Sequence, residues 1–139
     1  MNNEIYKDED SNISYNGIKI NIISDIENGK NHLQEDYKVI NNIGIENIIK
    51  NHFIPWLKGD TYNEKDDEQI YNGLKIYNIT YQYSNISKEY SPTQEEDFFG
   101  EFTFAFECGN DYVEDIFECV EMIIYVNNGK IVKVIGYDT

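Results

Sequence analysis

Between Phe98 and Asp138 the chain reads FFGEFTFAFECGNDYVEDIFECVEMIIYVNNGKIVKVIGYD, three apolar runs joined by two short polar breaks. That is the pattern of an antiparallel β-meander, and it narrows the choice of fold more than any other stretch. In the first run Phe102, Phe104, Phe106 and Cys108 alternate with Glu101, Thr103, Ala105 and Glu107. Alternate residues of a strand point to opposite faces, so the Phe row is the buried side. In the second run Val120, Met122, Ile124 and Val126 form the more apolar row. A two-residue turn at Asn128-Gly129 would set Val126 opposite Ile131 and Ile124 opposite Lys133. A three-residue loop with Gly129 left-handed sets Ile124 opposite Val132 and Met122 opposite Val134. A slip of one residue exchanges the faces of a strand, so the three-residue loop is expected. Phe102, Phe104, Phe106, Met122, Ile124, Val132 and Val134 should then share one buried face.

Ahead of the meander, Ile18, Ile20 and Ile22 alternate with Lys19 and Asn21, which reads as a first strand over 14–23 beside a turn at Asn16-Gly17. Asp25 to Lys30 reads as a loop with its turn at Asn28-Gly29. A helix capped by Asn31, with Gln34 three residues on, places Leu33, Tyr37, Ile40 and Gly44 on one face. After a break at 41–44, a second helix is expected from about Ile45 to Leu57. Its apolar face is Ile45, Ile48, Ile49, His52, Phe53, Trp56 and Leu57, with Pro55 disturbing the last turn and Gly59 closing it. Residues 60–72 are hydrophilic, with room for a short helical turn. Leu74 to Tyr83 reads as a strand whose core side is Tyr77, Ile79, Tyr81 and Tyr83. Ser84 to Asp97 reads as a polar loop. The order β-α-α-β-β-β-β predicts an α+β fold: a mostly antiparallel sheet of about five strands, two helices on one face and a C-terminal meander. The Trp56 face of the second helix and the Phe row should make the core. One domain covers 1–139, with 1–12 frayed.

Charge limits what such a domain can bind. Against 26 Asp+Glu stand 11 Lys+Arg, all of them Lys, for a net charge of −15. Nucleic acid and anionic membranes are disfavoured, because their phosphates need a basic footprint. The charge is compatible with a basic protein partner, which long-range attraction would steer. A surface that only keeps the chain soluble is the plainer alternative. The start, MNNEIYKDEDSN, has no signal-peptide pattern, and no apolar run is long enough to span a bilayer, so the chain is expected to be cytoplasmic.

No motif for catalysis, metal or cofactor is present. Cys108 and Cys119 flank a ten-residue connection and are expected to be free thiols in a reducing compartment. The two His, at 32 and 52, are too far apart in sequence to suggest a ligand pair, and His52 is expected to be a structural histidine. The acidic runs lack the spaced ligands and turning Gly of a calcium loop. No cofactor is therefore expected, and the chain is not expected to be an enzyme. The candidate partner-binding residues are the exposed acids Glu64, Asp66, Asp67, Glu68, Glu95, Glu96 and Asp97, with Tyr71 and Tyr90 as anchors, because Tyr buries area yet keeps a polar tip.

Phe104-Ala105-Phe106-Glu107-Cys108, with Gly129-Lys130 and then Gly136-Tyr137-Asp138, closes a strand, loop and two-helix beginning. In this the chain resembles families of small, acidic, uncharacterised bacterial proteins, some of them proposed as immunity proteins against secreted toxins. The resemblance implies a non-enzymatic inhibitor of a basic toxin. Two readings from other classes compete with it: a structural or housekeeping domain with a solubilising surface, and a small hydrolase. A deep polar pocket holding His32 or His52 would favour the hydrolase.

Overall fold

A computed structural model describes residues 13–23, 29–59, 64–85, 98–114 and 117–138. Its architecture is α+β. The strands β3 (Asn21–Ile22), β4 (Leu74–Asn85), β5 (Phe98–Cys108), β6 (Cys119–Asn127) and β7 (Lys130–Asp138) form one sheet in that spatial order. The last three pairings are antiparallel, as expected of a meander, but β3 joins β4 in parallel, so the sheet is mixed. The stretch expected as one first strand divides instead. Its first part is a hairpin of β1 (Ser14–Tyr15) and β2 (Ile18–Lys19) about the Asn16-Gly17 turn, and β3 follows. Both turn residues are left-handed, the geometry that lets two strands reverse over two residues.

The Phe row is buried as expected: Phe102, Phe104 and Phe106 are wholly inaccessible. Each has its own aromatic cover. Tyr37, on helix α1 (Gly29–Ile43), packs against Phe102 with ring centroids 6.4 Å apart. Tyr15 of the hairpin meets Phe104 edge-on at 6.3 Å, and Phe53 of the second helix stacks on Phe106 at 5.1 Å. Such pairs add about 0.5–1.5 kcal/mol each beyond simple burial. The helices and the hairpin therefore share one face of the sheet.

Three single-residue irregularities correct the expected register. The β6–β7 turn is the two-residue Asn128-Gly129, with Val126 opposite Ile131 and both turn residues left-handed. A bulge then inserts Val132, so that Lys133 faces Tyr125 and Val134 faces Ile124. Val134 therefore joins the buried Phe face, whereas Val132 turns away and packs with Tyr125 on the other face. In β4 a bulge at Tyr77 does the same. Ile79 and Tyr81 are buried on the core side as expected and Tyr83 packs there, but Tyr77 is 49% exposed, and Leu74 and Ile76 take the core side ahead of the bulge.

The third irregularity lies in the second helix. It runs through α2 (Ile45–Ile48), a π-helical stretch (Ile49–Phe53) and α3 (Ile54–Lys58), between Gly44 and Gly59 as expected. The Ile54 N–H reaches back five residues to the Ile49 carbonyl. Pro55 follows at once, and the widened turn accommodates a residue with no N–H to offer the carbonyl one turn back. One extra residue per turn shifts the phase of the helix. The buried face becomes Ile45, Ile48, Ile49, Phe53, Ile54 and Leu57, so Trp56 and His52, expected inside, lie at the surface. Trp56 lies over Gly136 of β7, where any Cβ would collide with the indole. Helix α1 also begins at Gly29, so Asn31 lies inside it rather than capping it. The short turn expected within 60–72 is helix α4 (Asp67–Gly73).

Phe104→Ala is expected to cost about 3–5 kcal/mol in denaturant unfolding, from lost burial plus the cavity left. Tyr77→Ala should stay within about 1 kcal/mol, since the bulge holds that side chain outside the core. Equal losses for the two would contradict the bulged register.

Candidate functional site

Of the residues singled out above, Tyr90, Glu95, Glu96 and Asp97 lie outside the described residues. Asp66, Asp67, Glu68 and Tyr71 meet at α4. Asp66 caps that helix, its carboxylate accepting the Gln69 N–H at 3.0 Å. Asp67 sits 2.6 Å from Lys58 Nζ, and Glu68 is 3.0 Å from Lys50 Nζ. Glu64 is exposed. Tyr71 is half-buried under the Lys50 ammonium, 4.7 Å from its ring, and its hydroxyl hydrogen-bonds Tyr15. Burial first, and then the Tyr15 and Glu46 oxygens, push its pKa up to about 12. Asp66, Asp67, Glu68 and Tyr71 thus each serve the fold, although exposed ion pairs of this kind contribute at most about 1 kcal/mol.

A larger acidic concavity lies beside them. The β5–β6 connection holds a 3-10 turn, Asp111–Val113, capped by Asn110, whose side chain accepts the Val113 N–H at 3.2 Å. Val113 and Phe117 are buried and pin the connection to the core. The polar residues around them, Asp111, Glu114 and Glu118, with Glu107 and Asn110, line a concavity of about 500 Å³. Glu107 pairs with Lys75 at 3.5 Å. The Tyr112 hydroxyl accepts the Asp66 N–H at 2.8 Å, which ties the start of α4 to the rim of this concavity. Sequence reasoning missed Asp111, Glu114 and Glu118. The available signal was the spacing of acids around the apolar anchors Val113 and Phe117.

The opposite end of the sheet holds a second, smaller cleft of about 230 Å³. Its lining includes His32, Glu35 and Asp36 of α1, Tyr83 of β4 and the turn at 127–129. His32 lies flat on Tyr83, with ring centroids 3.7 Å apart and planes within 3°. The Tyr81 hydroxyl donates to Asp36 Oδ2 at 2.5 Å. Gly100 makes that pairing possible, because a Cβ there would strike both the carboxylate and the phenol oxygen. Burial raises the Asp36 pKa, against the lowering effects of Tyr81 and of His32. Burial and the Asp36 bond together raise that of Tyr81. No Ser, Thr or Cys nucleophile is among the described lining residues of this cleft.

Neither Cys108 nor Cys119 is in a disulfide. Glu107 pairs with Cys119 across β5 and β6, so Cys108 and Cys119 fall on opposite faces of neighbouring strands. Cys108 donates to the Asn110 carbonyl at 2.7 Å, and the Cys119 sulfur lies 3.1 Å from the Tyr77 hydroxyl. No three or more metal-ligating side chains gather among the described residues, and no helix there is long and apolar enough to cross a membrane. The chain matches no protein-family model, no curated protein and no solved structure.

Thiol titration of the denatured, unreduced protein should find two free thiols; one bridged pair would contradict the strand geometry. The second expectation concerns pH. Asp36 has a folded pKa above its unfolded value of 3.8, so its contribution to stability is complete below that value and is lost as pH rises through the folded pKa. Glu101, raised by burial and by Glu121, acts with the same sign. Urea midpoints from pH 3 upward should therefore depend less on pH in Asp36→Asn than in the parent. An unchanged profile would show that Asp36 is not desolvated.

Proposed function

We propose that this chain is a non-enzymatic binding protein that receives a basic protein on its acidic end, in the manner of an immunity protein neutralising a basic toxin. The observation that supports this reading is the concavity lined by Glu107, Asp111, Glu114 and Glu118, joined to the start of α4 through Tyr112 and Asp66. Carboxylates held on a pinned connection need little reordering on binding, and less ordering leaves more of the contact energy as affinity. The −15 charge supplies the long-range attraction. The proposed contact surface therefore centres on the β5–β6 connection, with Glu64, Asp67 and Glu68 at its rim. A cytoplasmic location fits an inhibitor that protects the cell in which it is made.

The solubilising alternative has an observation of its own: Asp67 and Glu68 already have lysine partners within the chain. Association kinetics separate the two readings. A pull-down from the source cells at low salt supplies the partner, and its on-rate is then followed across a salt series. For a steered encounter the on-rate falls as added salt shortens the screening length, to about 8 Å at physiological strength. The variant carrying Glu107→Gln, Asp111→Asn, Glu114→Gln and Glu118→Gln should bind more slowly, with a shallower salt slope and a largely unchanged off-rate. Equal rates and equal slopes would remove the concavity from the mechanism and leave the solubilising surface in front.

A further inference from the structure

We infer that the cleft between the start of α1 and the β6–β7 turn is a binding site for an organic cation, a guanidinium or primary ammonium group. This goes beyond the function proposed above and does not rest on it. The cleft sits at the Gly100 end of β5, whereas the acidic concavity sits at the Cys108 end.

The cleft meets three requirements of such a site. The first is a fixed negative floor. Asp36 is held by the Tyr81 hydroxyl in a position that only a glycine at 100 permits. A neutral phenol orients the carboxylate but leaves its charge uncompensated, and desolvating an unpaired charge is costly. Asp67 and Glu68 have lysine partners, but no ion pair reaches Asp36 among the described residues, and no lysine is among the described lining of the cleft. His32, one helical turn away, only moderates that charge from a distance.

The second requirement is a flat π surface. His32 and Tyr83 are stacked in parallel and both line the cleft. A guanidinium plane or an ammonium group is attracted to such a surface, and Arg in particular stacks on aromatic faces. The third is a hydrogen-bonding rim. Glu35 supplies a second carboxylate, and Asn127 and Asn128, which carry amide oxygens, also line the cleft. A volume of about 230 Å³ suits one cationic head with a short stem.

The chain has only two histidines, and His52 lies exposed on the π-helical stretch outside this cleft. The imidazole proton spectrum therefore carries a reporter and an internal control. Agmatine, titrated at constant ionic strength, should shift the His32 signal saturably and leave His52 in place. Asp36→Asn should weaken binding about tenfold or more, as expected for loss of a charge-assisted contact. Glu114→Gln, which removes the same charge from the other end of the molecule, should leave the affinity within about twofold of the parent. If Asp36→Asn fails to fold, Glu35→Gln and Tyr83→Leu carry the same comparison. Acetyl-Gly-Arg-Gly-amide distinguishes the source of the cation. Binding of the peptide supports a protein side chain as occupant, and binding of agmatine alone supports a free small amine. If neither probe shifts His32, if both histidines move together, or if Glu114→Gln weakens binding as much as Asp36→Asn, the attraction belongs to the whole protein and the site does not exist.

Discussion

Burial of the three phenylalanines on β5 is the constraint to which the rest of the structure answers. Phe102, Phe104 and Phe106 lie on the central strand, and each is closed over by an aromatic ring from a different part of the chain. Tyr15, Tyr37 and Phe53 come from the hairpin, from α1 and from the second helix. The N-terminal half of the protein is thus a lid for the C-terminal meander, built from three pieces. Each wholly buried ring removes on the order of 150–250 Å² from water, which is why short strands such as β1 and β2 can persist on so little hydrogen bonding of their own.

The same constraint explains the irregularities. A strict period of two in β4 cannot bury Leu74 and Ile76 together with Ile79 and Tyr81, because the two pairs have opposite parity. The bulge at Tyr77 reconciles them. In β7 the bulge at Val132 lets Ile131 and Val134 face the same core, three residues apart. In the second helix the π turn brings Phe53 and Ile54 to the inner face in place of His52 and Phe53. In all three places one added residue costs local regularity and recovers burial, and burial is the larger quantity.

This is also what made the fold only partly legible in the sequence. Periodicity identified the meander and the Phe row, which rest on an unbroken repeat, and Gly44 and Gly59 marked the ends of the second helix. It misplaced Tyr77, Val132, His52 and Trp56, all of which lie at or beyond a one-residue insertion. Pro55 announced a disturbance, but not that it would take the form of a widened turn ahead of it. The parallel pairing of β3 depends on where α1 returns the chain, which no local pattern encodes. For the sites, acidic runs drew attention to Glu64–Glu68, whereas Glu107, Asp111, Glu114 and Glu118 are brought together by a turn. The Asp36 cleft is less legible still, since Asp36, Tyr81 and Gly100 come from three elements and only the fold brings them together.

Both concavities lie at the ends of the sheet, and the Phe row explains why. The helices and the hairpin are committed to the core face. The far face carries its own small apolar cluster around Tyr125. Polar chain is left for the connections at the strand ends, where backbone groups can reach water and carboxylates can be held by caps and turns. Gly100, against Asp36, and Cys108, on the wall of the acidic concavity, are eight residues apart on β5, or about 27 Å at strand rise. Substitutions at one end should therefore add to those at the other with little coupling, because neither shares a partner with its counterpart. Core substitutions behave differently. Phe102 contacts Tyr81, the donor to Asp36, at a centroid distance of 4.8 Å, so the row that holds the fold also sets the floor of the cleft. Loosening the row at Phe102 would reach the cleft through Tyr81, whereas loosening it at Phe106, opposite Val120 and next to Glu107, would reach the acidic connection first.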